Sequence, residues 1–372
     1  MQWAAAAAAA SCLAAAEEWI HRRAIRRKMA NLYALSQHPV GGSPTKTGEF
    51  VRLTLQDLGY EYRTYANSNP SPDSASDFPR VLFSTRLVAV DDGSPFTFQG
   101  EEHYEVLASF VREYVLNLLL RQGMKELKPE RACLLLSDRQ RSVGAMIPKV
   151  LVTDDLETAE VMVVIVHKSG SARTGQWSRR ACINGSLEEG SVAPYMERIR
   201  ERKWAAILLD PASCENDPMP DDVASSEHVL CAWDHVIQKE GAKQIFFIGH
   251  GLGGKSVLTL LQHRQESMIE RCAGIALIDG AHTGTWYPFN VQEQLKAFLA
   301  GRCRNWVRSD KPLGAILSKD DDIFGRGVRP LTEDDPICLT SSGTSEQNRV
   351  AIMAMEGVFK FFDNLHDRRV YV

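Results

Sequence analysis

Four glycines lie within six residues near the middle of the chain, in the segment Gly249–Gly254 (GHGLGG). The residues before them, Gln244–Ile248, are a β-branched and aromatic run of the kind that is buried in a parallel sheet. The residues after them, Lys255–Gln262, have apolar side chains at helical spacing. The segment therefore predicts a strand, a tight glycine turn and a helix, which is the junction where α/β proteins commonly place their functional site.

Two incompatible motifs fit this turn. The first is a phosphate-binding loop, because Gly249–Ser256 matches G-x-x-x-x-G-K-[ST], whose lysine reaches the outer phosphates of a nucleotide and whose serine ligates magnesium. The second is a nucleophile elbow, G-x-S-x-G, in which Gly249 and Gly253 are the small flanking residues of a strained turn. The central residue of that elbow is Gly251, which carries no nucleophile. A phosphate loop normally follows the first strand of its domain, whereas several strand–helix units precede this turn, so its position favours the elbow.

Strands and helices alternate from Cys133 onward. The predicted strands are Val150–Thr153, Val161–Val166, Trp204–Leu209, Gly274–Ile278, Asn305–Ser309 and Ile337–Thr340. The predicted helices are Pro194–Lys203, Ser225–Glu240, Val291–Leu299 and Ser345–Leu365. This alternation predicts an α/β fold with a doubly wound, mostly parallel sheet that is covered by helices on both faces.

An N-terminal extension, residues 49–132, is predicted to precede the main domain, residues 133–372. Its strands Val81–Val90 and Phe96–Phe98 flank an Asp-Gly turn, which is a β-hairpin signal because both residues tolerate positive φ. Its helix, His103–Arg121, follows from apolar residues at helical spacing. The sequence therefore predicts a hairpin and a helix in front of the large sheet.

Residues 1–48 are predicted to form a flexible tail with an alanine run, Ala4–Ala10, and a basic cluster, Arg22–Lys28. The tail lacks the positively charged start of a secretory signal, and Glu17 and Glu18 end the alanine-rich stretch before it could span a membrane. The cluster fits a nuclear import signal, part of an organelle presequence or a solvated basic helix face. We therefore expect a nuclear or cytoplasmic location, with an organelle presequence as the open alternative, and no membrane partner.

Charge and cysteine usage exclude several classes of function. The net charge is −4, from 43 basic and 47 acidic residues, so no overall field attracts nucleic acid, and no direct nucleic-acid binding is predicted. The eight cysteines include no C-x-x-C pair, which suits reduced thiols better than a metal site or disulfides. His228 and His235 are seven residues apart, too far for an i, i+4 metal pair. We predict no metal and no cofactor.

Six blocks of sequence, taken in order, resemble the argonaute-binding-protein-type (Arb) domain family. The blocks are Gly175–Arg180 (GQWSRR), Glu227–His235, Phe246–Gly254, Ala276–His282, Asn305–Val307 and Ser341–Thr344. This family includes a metazoan cotranscriptional regulator and a C-terminal region of fungal class II histone deacetylases. The resemblance covers roughly residues 50–365, and it implies an α/β-hydrolase fold, which favours the elbow over the phosphate loop.

The chain departs from the family at two positions of a hydrolase triad. Regulator-like members tend to carry serine where this chain has Gly251, and histidine where it has Gln347. Only Asp279 remains as a matching acid, and glutamine cannot accept and return a proton near neutral pH. The resemblance therefore implies a pseudoenzyme that works through protein partners, argonaute-type or chromatin-associated, in gene silencing or cotranscriptional regulation. The alternatives are a serine-independent hydrolase, using His250 or a metal-bound water, and a nucleotide-binding protein.

A pocket is predicted around the elbow. His167 and Gly170 follow the strand Val161–Val166, where hydrolase folds place oxyanion donors. His250 lies within the elbow, and His282 lies shortly after the acid position. Loops that follow parallel strands converge on one crevice, so these residues are expected to line it. For each histidine the competing interpretation is a polar residue satisfied in the core.

The partner surface is predicted at the same end of the sheet, from Trp177, Arg179, Arg180 and Trp286. Tryptophan and arginine are the residue types favoured at interface hot spots. The alternative is an aromatic plug that fills the vacated site and leaves the arginines solvated.

Overall fold

The computed structural model describes residues 42–44, 50–52, 54–66, 83–142, 150–167, 175–210, 221–280, 293–318, 321 and 336–370. The chain divides into two compact units. The smaller unit combines residues up to Glu61 with Val88–Glu113, and the larger unit combines Tyr62–Leu87 with the chain from Tyr114 onward.

The described strands are β1 (Gly42–Pro44), β2 (Phe50–Arg52), β3 (Tyr60–Ala66), β4 (Phe83–Ala89), β5 (Met124–Glu126), β6 (Leu151–Thr153), β7 (Val161–Val166), β8 (Ala205–Leu209), β9 (Gln244–His250), β10 (Cys272–Ile278), β11 (Cys303–Val307) and β12 (Cys338–Ser341). The described α-helices are α1 (Glu101–Arg121), α2 (Pro129–Ala132), α3 (Asp138–Ser142), α4 (Arg179–Asn184), α5 (Leu187–Gly190), α6 (Ala193–Glu201), α7 (Asp221–His235), α8 (Leu252–His263), α9 (Gln265–Arg271), α10 (Glu293–Arg302) and α11 (Val350–Val370). Short 3₁₀ helices cover Gln56–Leu58, Cys133–Leu135, Ile237–Lys239 and Gln347–Arg349.

Eight of these strands form one sheet in the order β5-β6-β8-β7-β9-β10-β11-β12. Strand β6 runs antiparallel to both of its neighbours, and the pairs from β8 to β12 are parallel. In chain order the third and fourth strands of this sheet, β7 and β8, exchange places, and only the second, β6, runs antiparallel to the others. This is the topology of the α/β-hydrolase fold. The predicted fold class is therefore confirmed.

Helices cover both faces of this sheet, as two consecutive side chains of β9 show. Successive residues of a strand point to opposite faces. Phe246 stacks on Phe362 of α11, with ring centroids 4.5 Å apart, whereas Phe247 lies 6.1 Å from Trp233 of α7. Both phenylalanines are fully buried, so the central strand has the apolar content expected of a strand enclosed on both sides.

The smaller unit contains the antiparallel hairpin of β1 and β2, in which Gly42 lies opposite Arg52 and Pro44 opposite Phe50. The N-terminal hairpin of the predicted fold class is therefore present, although its strands are not the predicted ones. Around the Asp-Gly turn, only an isolated bridge joins Val88 to Pro95, and β4 pairs with β3 instead. Proline has no N–H to donate to a ladder, which limits pairing on that side.

The larger unit begins earlier along the chain than residue 133. Strand β5, at Met124–Glu126, is the edge strand of the main sheet although it lies inside the predicted extension. Helix α1 agrees with the predicted helix to within two residues at its start. The predicted tail, residues 1–48, falls outside the described residues except for β1. Among the described helices, none is long and apolar enough to cross a membrane.

Candidate functional site

The turn between β9 and α8 has the backbone of a nucleophile elbow. Gly251 adopts φ 54° and ψ −119°, a conformation that residues with a side chain rarely adopt. Its N–H donates a hydrogen bond of 2.9 Å to the carbonyl oxygen of Ile278 on the neighbouring strand. Elbows hold their nucleophile in a strained turn of this kind. The strained geometry is therefore present at Gly251 without the side chain that it would position.

The flanking glycines are required by close packing. A Cβ atom at Gly249 would lie 2.6 Å from the Cα of Gly254, and one at Gly253 would lie 2.3 Å from the carbonyl oxygen of Val166. Both distances are far shorter than any van der Waals contact. The helix therefore packs directly against the ends of β7 and β9, and only glycine fits at these two positions.

This packing leaves no room for a phosphate nest. The Lys255 ammonium forms an ion pair with Asp222 of α7, and the Ser256 hydroxyl is fully buried, 2.7 Å from that of Ser225. A phosphate loop needs its lysine and its serine directed at the nucleotide and the metal. Both side chains are directed into the fold, so the nucleotide-binding alternative is not favoured.

The acid position lies beside the elbow. His250 and Ile278 are paired in the β9–β10 ladder, so Gly251 and Asp279 follow adjacent strand ends. Asp279 has a positive φ of 45°, and its N–H donates to the carbonyl oxygen of Trp306. The Nε of Arg308 lies 3.2 Å from the Asp279 carboxylate, and both side chains are largely buried. This carboxylate therefore balances an arginine, whereas a triad acid would orient a histidine.

The structure does not bring Gln347 into this group. Gln347 begins the 3₁₀ helix before α11, and its side chain is exposed. The contacts of that segment come from its neighbours: the Ser178 hydroxyl donates to the side-chain oxygen of Asn348 at 3.1 Å, and Arg349 lies 3.4 Å from Glu189. The position that the resemblance matches to a catalytic base therefore presents its side chain to solvent.

Trp177 occupies the crevice beside the elbow. Its ring centroid lies 5.3 Å from that of His167, 5.2 Å from that of His250 and 5.2 Å from that of Tyr195. Trp177 is 1% exposed, and His167 and Tyr195 are equally buried. The predicted assignment of Trp177 to a partner surface therefore disagrees with the structure, and its position is that of the aromatic plug.

The two described histidines of the predicted pocket, His167 and His250, both contact this plug. The backbone N–H of Gly175 donates to Nε2 of His167 at 3.3 Å, so the ring is neutral with its proton on Nδ1. Burial lowers the pKa of His167 from 6.5 to about 4. A histidine held neutral over the physiological range, behind a buried indole, is poorly placed to act as a general base for an incoming substrate.

The remaining predicted site residues are divided. Arg179 is half-buried and Arg180 is exposed, both at the start of α4, where the Ser178 side chain caps the helix. Gly170, His282 and Trp286 lie outside the described residues. His228 is fully buried. Within the described ranges, no three side chains of His, Cys, Asp and Glu form a cluster that could hold a metal ion.

Two contributors to the site were missed from the sequence, Arg308 and Tyr195. Arg308 follows β11 directly. A charged residue at the end of the strand next to β10, which Asp279 follows, was the signal that could have indicated this ion pair. Tyr195 lies in α6, and its hydroxyl donates to the carbonyl oxygen of Ala351 at 2.7 Å, which ties α6 to α11. Burial raises the pKa of Tyr195 well above its ordinary value. A tyrosine in a helical pattern carries no signal that separates this role from ordinary packing.

Comparisons with known proteins agree on one family. The model of the Arb2 domain matches residues 142–219 and 212–313. A cotranscriptional regulator ARB2A homolog of Xenopus tropicalis is 24% identical over 342 residues, covering 75% of this chain and 76% of that protein. Cotranscriptional regulator ARB2A of Homo sapiens is 22% identical over 354 residues, covering 78% and 80% respectively.

Among solved structures, a histone deacetylase from Saccharomyces cerevisiae aligns with a TM-score of 0.48 at 16% identity, covering 71% of this chain and all of that one. A lipase-esterase related protein from Clostridium acetobutylicum aligns with a TM-score of 0.32 at 14% identity, covering 56% of this chain and 96% of that one.

Proposed function

Because this chain belongs to the Arb2 domain family, we propose that it is a catalytically inactive protein of the α/β-hydrolase fold that regulates transcription by binding other proteins. Relatives that align with 75% and 78% of its length are named cotranscriptional regulators, and this name is the basis for the transcriptional role. The partners that we propose are argonaute-type or chromatin-associated proteins, with gene silencing as the process.

One observation carries the proposal that the chain is not an enzyme: an elbow backbone is preserved at Gly251, where no nucleophile exists, and the adjoining crevice is filled by Trp177. Acyl-transfer chemistry needs an activated nucleophile and room for a substrate next to it. A strained turn that has neither is a scaffold without this chemistry. The neutral, buried His167 and the arginine-paired Asp279 agree with this interpretation.

The partner surface is proposed at the carboxyl ends of the parallel strands, around Arg179 and Arg180. Loops that follow these strands converge on one side of an open α/β sheet, which is where such folds bind their ligands. Arg180 is exposed, and Arg179 is half-buried on the same short helix. Trp177, two residues before Arg179, is held in place by rings on three sides.

The test is capture of partners from nuclear extract with the tagged full chain. Arg179→Ala combined with Arg180→Ala should reduce recovery of argonaute-type and chromatin-associated proteins several-fold and leave the melting temperature within a few degrees, because neither side chain is in the core. Arg200→Ala is the matched control, an exposed arginine on α6, and it should change neither readout. If capture is unaffected while the double variant unfolds, the arginines are structural and the proposed surface is wrong.

Nuclear location is proposed to depend on the basic cluster Arg22–Lys28. Replacing its arginines with alanine should move a tagged protein from nucleus to cytoplasm and leave the melting temperature unchanged, because residues 1–48 contain little apolar bulk for a core. Import into an organelle with loss of the first residues would instead identify a presequence.

A further inference from the structure

Arg304 is a charged side chain that lies against two aromatic rings of the larger unit. It is the second residue of β11, and because it precedes Trp306 by two residues, both side chains point to the same face of the sheet. The guanidinium carbon of Arg304 lies 6.0 Å from the centroid of the Trp306 ring and 5.0 Å from that of Phe361. These two rings contact each other edge to face, with centroids 5.8 Å apart.

Helix α11 supplies the second ring because its backbone approaches the sheet closely here. A Cβ atom at Gly357 would lie 3.0 Å from Nε1 of Trp306, so the helix packs directly on the indole. Phe361 follows Gly357 by one helical turn and lies on the same face of the helix. Since Trp306 is 1% exposed, the two rings form a fixed support for the arginine.

Arg304 forms no ion pair with any residue that the structure describes, and its buried Nε donates no hydrogen bond there. Its neighbours in the ladder are Ala276 on β10 and Cys338 on β12, neither of which is an acidic residue. By contrast Arg202, which also lies over two rings, donates to both carboxylate oxygens of Asp363 at 2.8 and 2.7 Å. Arg304 as a whole is half-buried, so the two Nη atoms form the edge of the guanidinium that can receive a ligand.

The chemistry of this group selects an anion. A partly buried charge is costly unless charge-assisted hydrogen bonds offset its desolvation. The planar fork of a guanidinium matches the two oxygens of a carboxylate. Phosphorylated side chains are typically bound by clusters of arginines, whereas one guanidinium balances the single charge of a carboxylate.

We propose that Arg304, supported by Trp306 and Phe361, is a docking site for an aspartate or glutamate side chain of an acidic segment in a protein partner. The carboxylate accepts two parallel hydrogen bonds from the guanidinium. Arg304 lies near the amino end of β11, whereas Arg179 and Arg180 belong to the surface proposed at the carboxyl ends of the parallel strands. The two proposals can therefore fail separately.

Fluorescence anisotropy with the full chain tests the site, using a labelled peptide of alternating glutamate and glycine. The same peptide with glutamine in place of glutamate should bind about five-fold or more weakly, because it lacks the charge. Arg304→Met removes the fork and keeps an apolar stem over the rings. It should weaken binding of the glutamate peptide by a similar factor. Arg304→Lys keeps the charge without the bidentate geometry, so its affinity should lie between the two.

Arg121→Met is the matched control, because Arg121 is an exposed arginine 5.9 Å from the centroid of the Tyr114 ring. It should leave peptide affinity unchanged. The melting temperature of Arg304→Met should stay within a few degrees of that of the unaltered chain, since no ion pair is lost.

Four results would each overturn the proposal. The first is equal affinity for the glutamate and glutamine peptides, and the second is an equal loss of affinity in Arg121→Met and Arg304→Met. The third is no binding by the unaltered chain, and the fourth is a large fall in melting temperature in both Arg304→Met and Arg304→Lys, which would make the arginine structural. A peptide with phosphoserine in place of glutamate is the last arm: tighter binding of this form would assign the site to a phosphorylated partner instead.

Discussion

The indole ring of Trp177 lies 5.2 Å from the imidazole ring of His250, the residue directly before the glycine at the centre of the elbow. In a hydrolase fold, the acyl group of a substrate would need the space next to this turn. Here that space holds a buried side chain that also contacts His167 and Tyr195. The missing nucleophile and the filled crevice are thus found at the same place in the fold.

Truncating Trp177 tests whether it is a structural plug. Trp177→Ala removes a 1% exposed indole from a site with rings on three sides, so the free energy of unfolding should fall by about 3–5 kcal/mol. Trp177→Phe should cost less, because a ring still fills most of the space. Denaturant unfolding measures both variants. A loss below about 1 kcal/mol in Trp177→Ala would mean that the crevice is open rather than filled.

Restoring a hydroxyl at the elbow should not restore catalysis. Gly251→Ser places a side chain at φ 54° and ψ −119°, which should cost on the order of 1–3 kcal/mol in stability. Neither the unaltered chain nor this variant should react with a fluorophosphonate probe, because a serine without a base is a weak nucleophile. The double variant Gly251→Ser with Gln347→His should also stay unlabelled, since residue 347 is exposed.

Gly301→Ser is the control for the cost of an added side chain, because a Cβ there meets no atom within 4 Å. It should change stability little. Labelling of the unaltered chain, mapped to any serine, would contradict the proposal that the protein is not a hydrolase. Turnover by the double variant would show that a competent triad geometry survives.

Nucleotide should not bind at Gly249–Ser256, although the sequence matches the phosphate-loop pattern at every specified position. The Lys255 ammonium forms an ion pair with Asp222, and the buried Ser256 hydroxyl is hydrogen-bonded to that of Ser225. Lys255→Ala should therefore lower the free energy of unfolding by about 1 kcal/mol, as for a partly exposed ion pair. Neither this variant nor the unaltered chain should bind ATP. Calorimetry with Mg²⁺ and ATP checks this. Micromolar binding that disappears in Lys255→Ala would support the phosphate loop after all.

The sequence predicted the central sheet well because buried strands have a strong apolar signature. Val161–Val166 coincides with β7, and the predicted elbow strand and helix match β9 and α8 closely. Strand β5 gave no such signal, since it is three residues long and exposes two of them. The N-terminal hairpin was predicted at the wrong strands, because an Asp-Gly turn indicates pairing between the segments next to it, whereas β4 pairs with the more distant β3.

The sequence predicted where the candidate site lies in the fold better than it predicted which side chains contact each other there. Adjacent parallel strands place Gly251 beside Asp279, which follows from strand order alone. For Trp177 the sequence left a partner surface and an aromatic plug as alternatives, because its neighbours in sequence are polar or charged and one aromatic residue has no periodicity that would choose between them. The Asp279–Arg308 pair joins residues that follow different strands, and pairwise charge contacts of this kind depend on side-chain packing that a sequence pattern does not encode.

Acid should destabilise the protein through its buried neutral histidines. Burial lowers the pKa of His228 from 6.5 to about 4, so between these values the unfolded chain binds a proton that the folded chain does not. Above pH 6.5 this residue has no effect on stability, and as the pH falls towards 4 its cost grows, reaching about 2 kcal/mol at pH 5.

His228→Gln cannot titrate and should flatten the decline in the free energy of unfolding between pH 6.5 and 5. His263→Gln, at an exposed position on α8, should leave the decline unchanged. If denaturant unfolding gives the same pH dependence for His228→Gln as for the unaltered chain, His228 is protonated in the folded state and its environment is not the apolar one described.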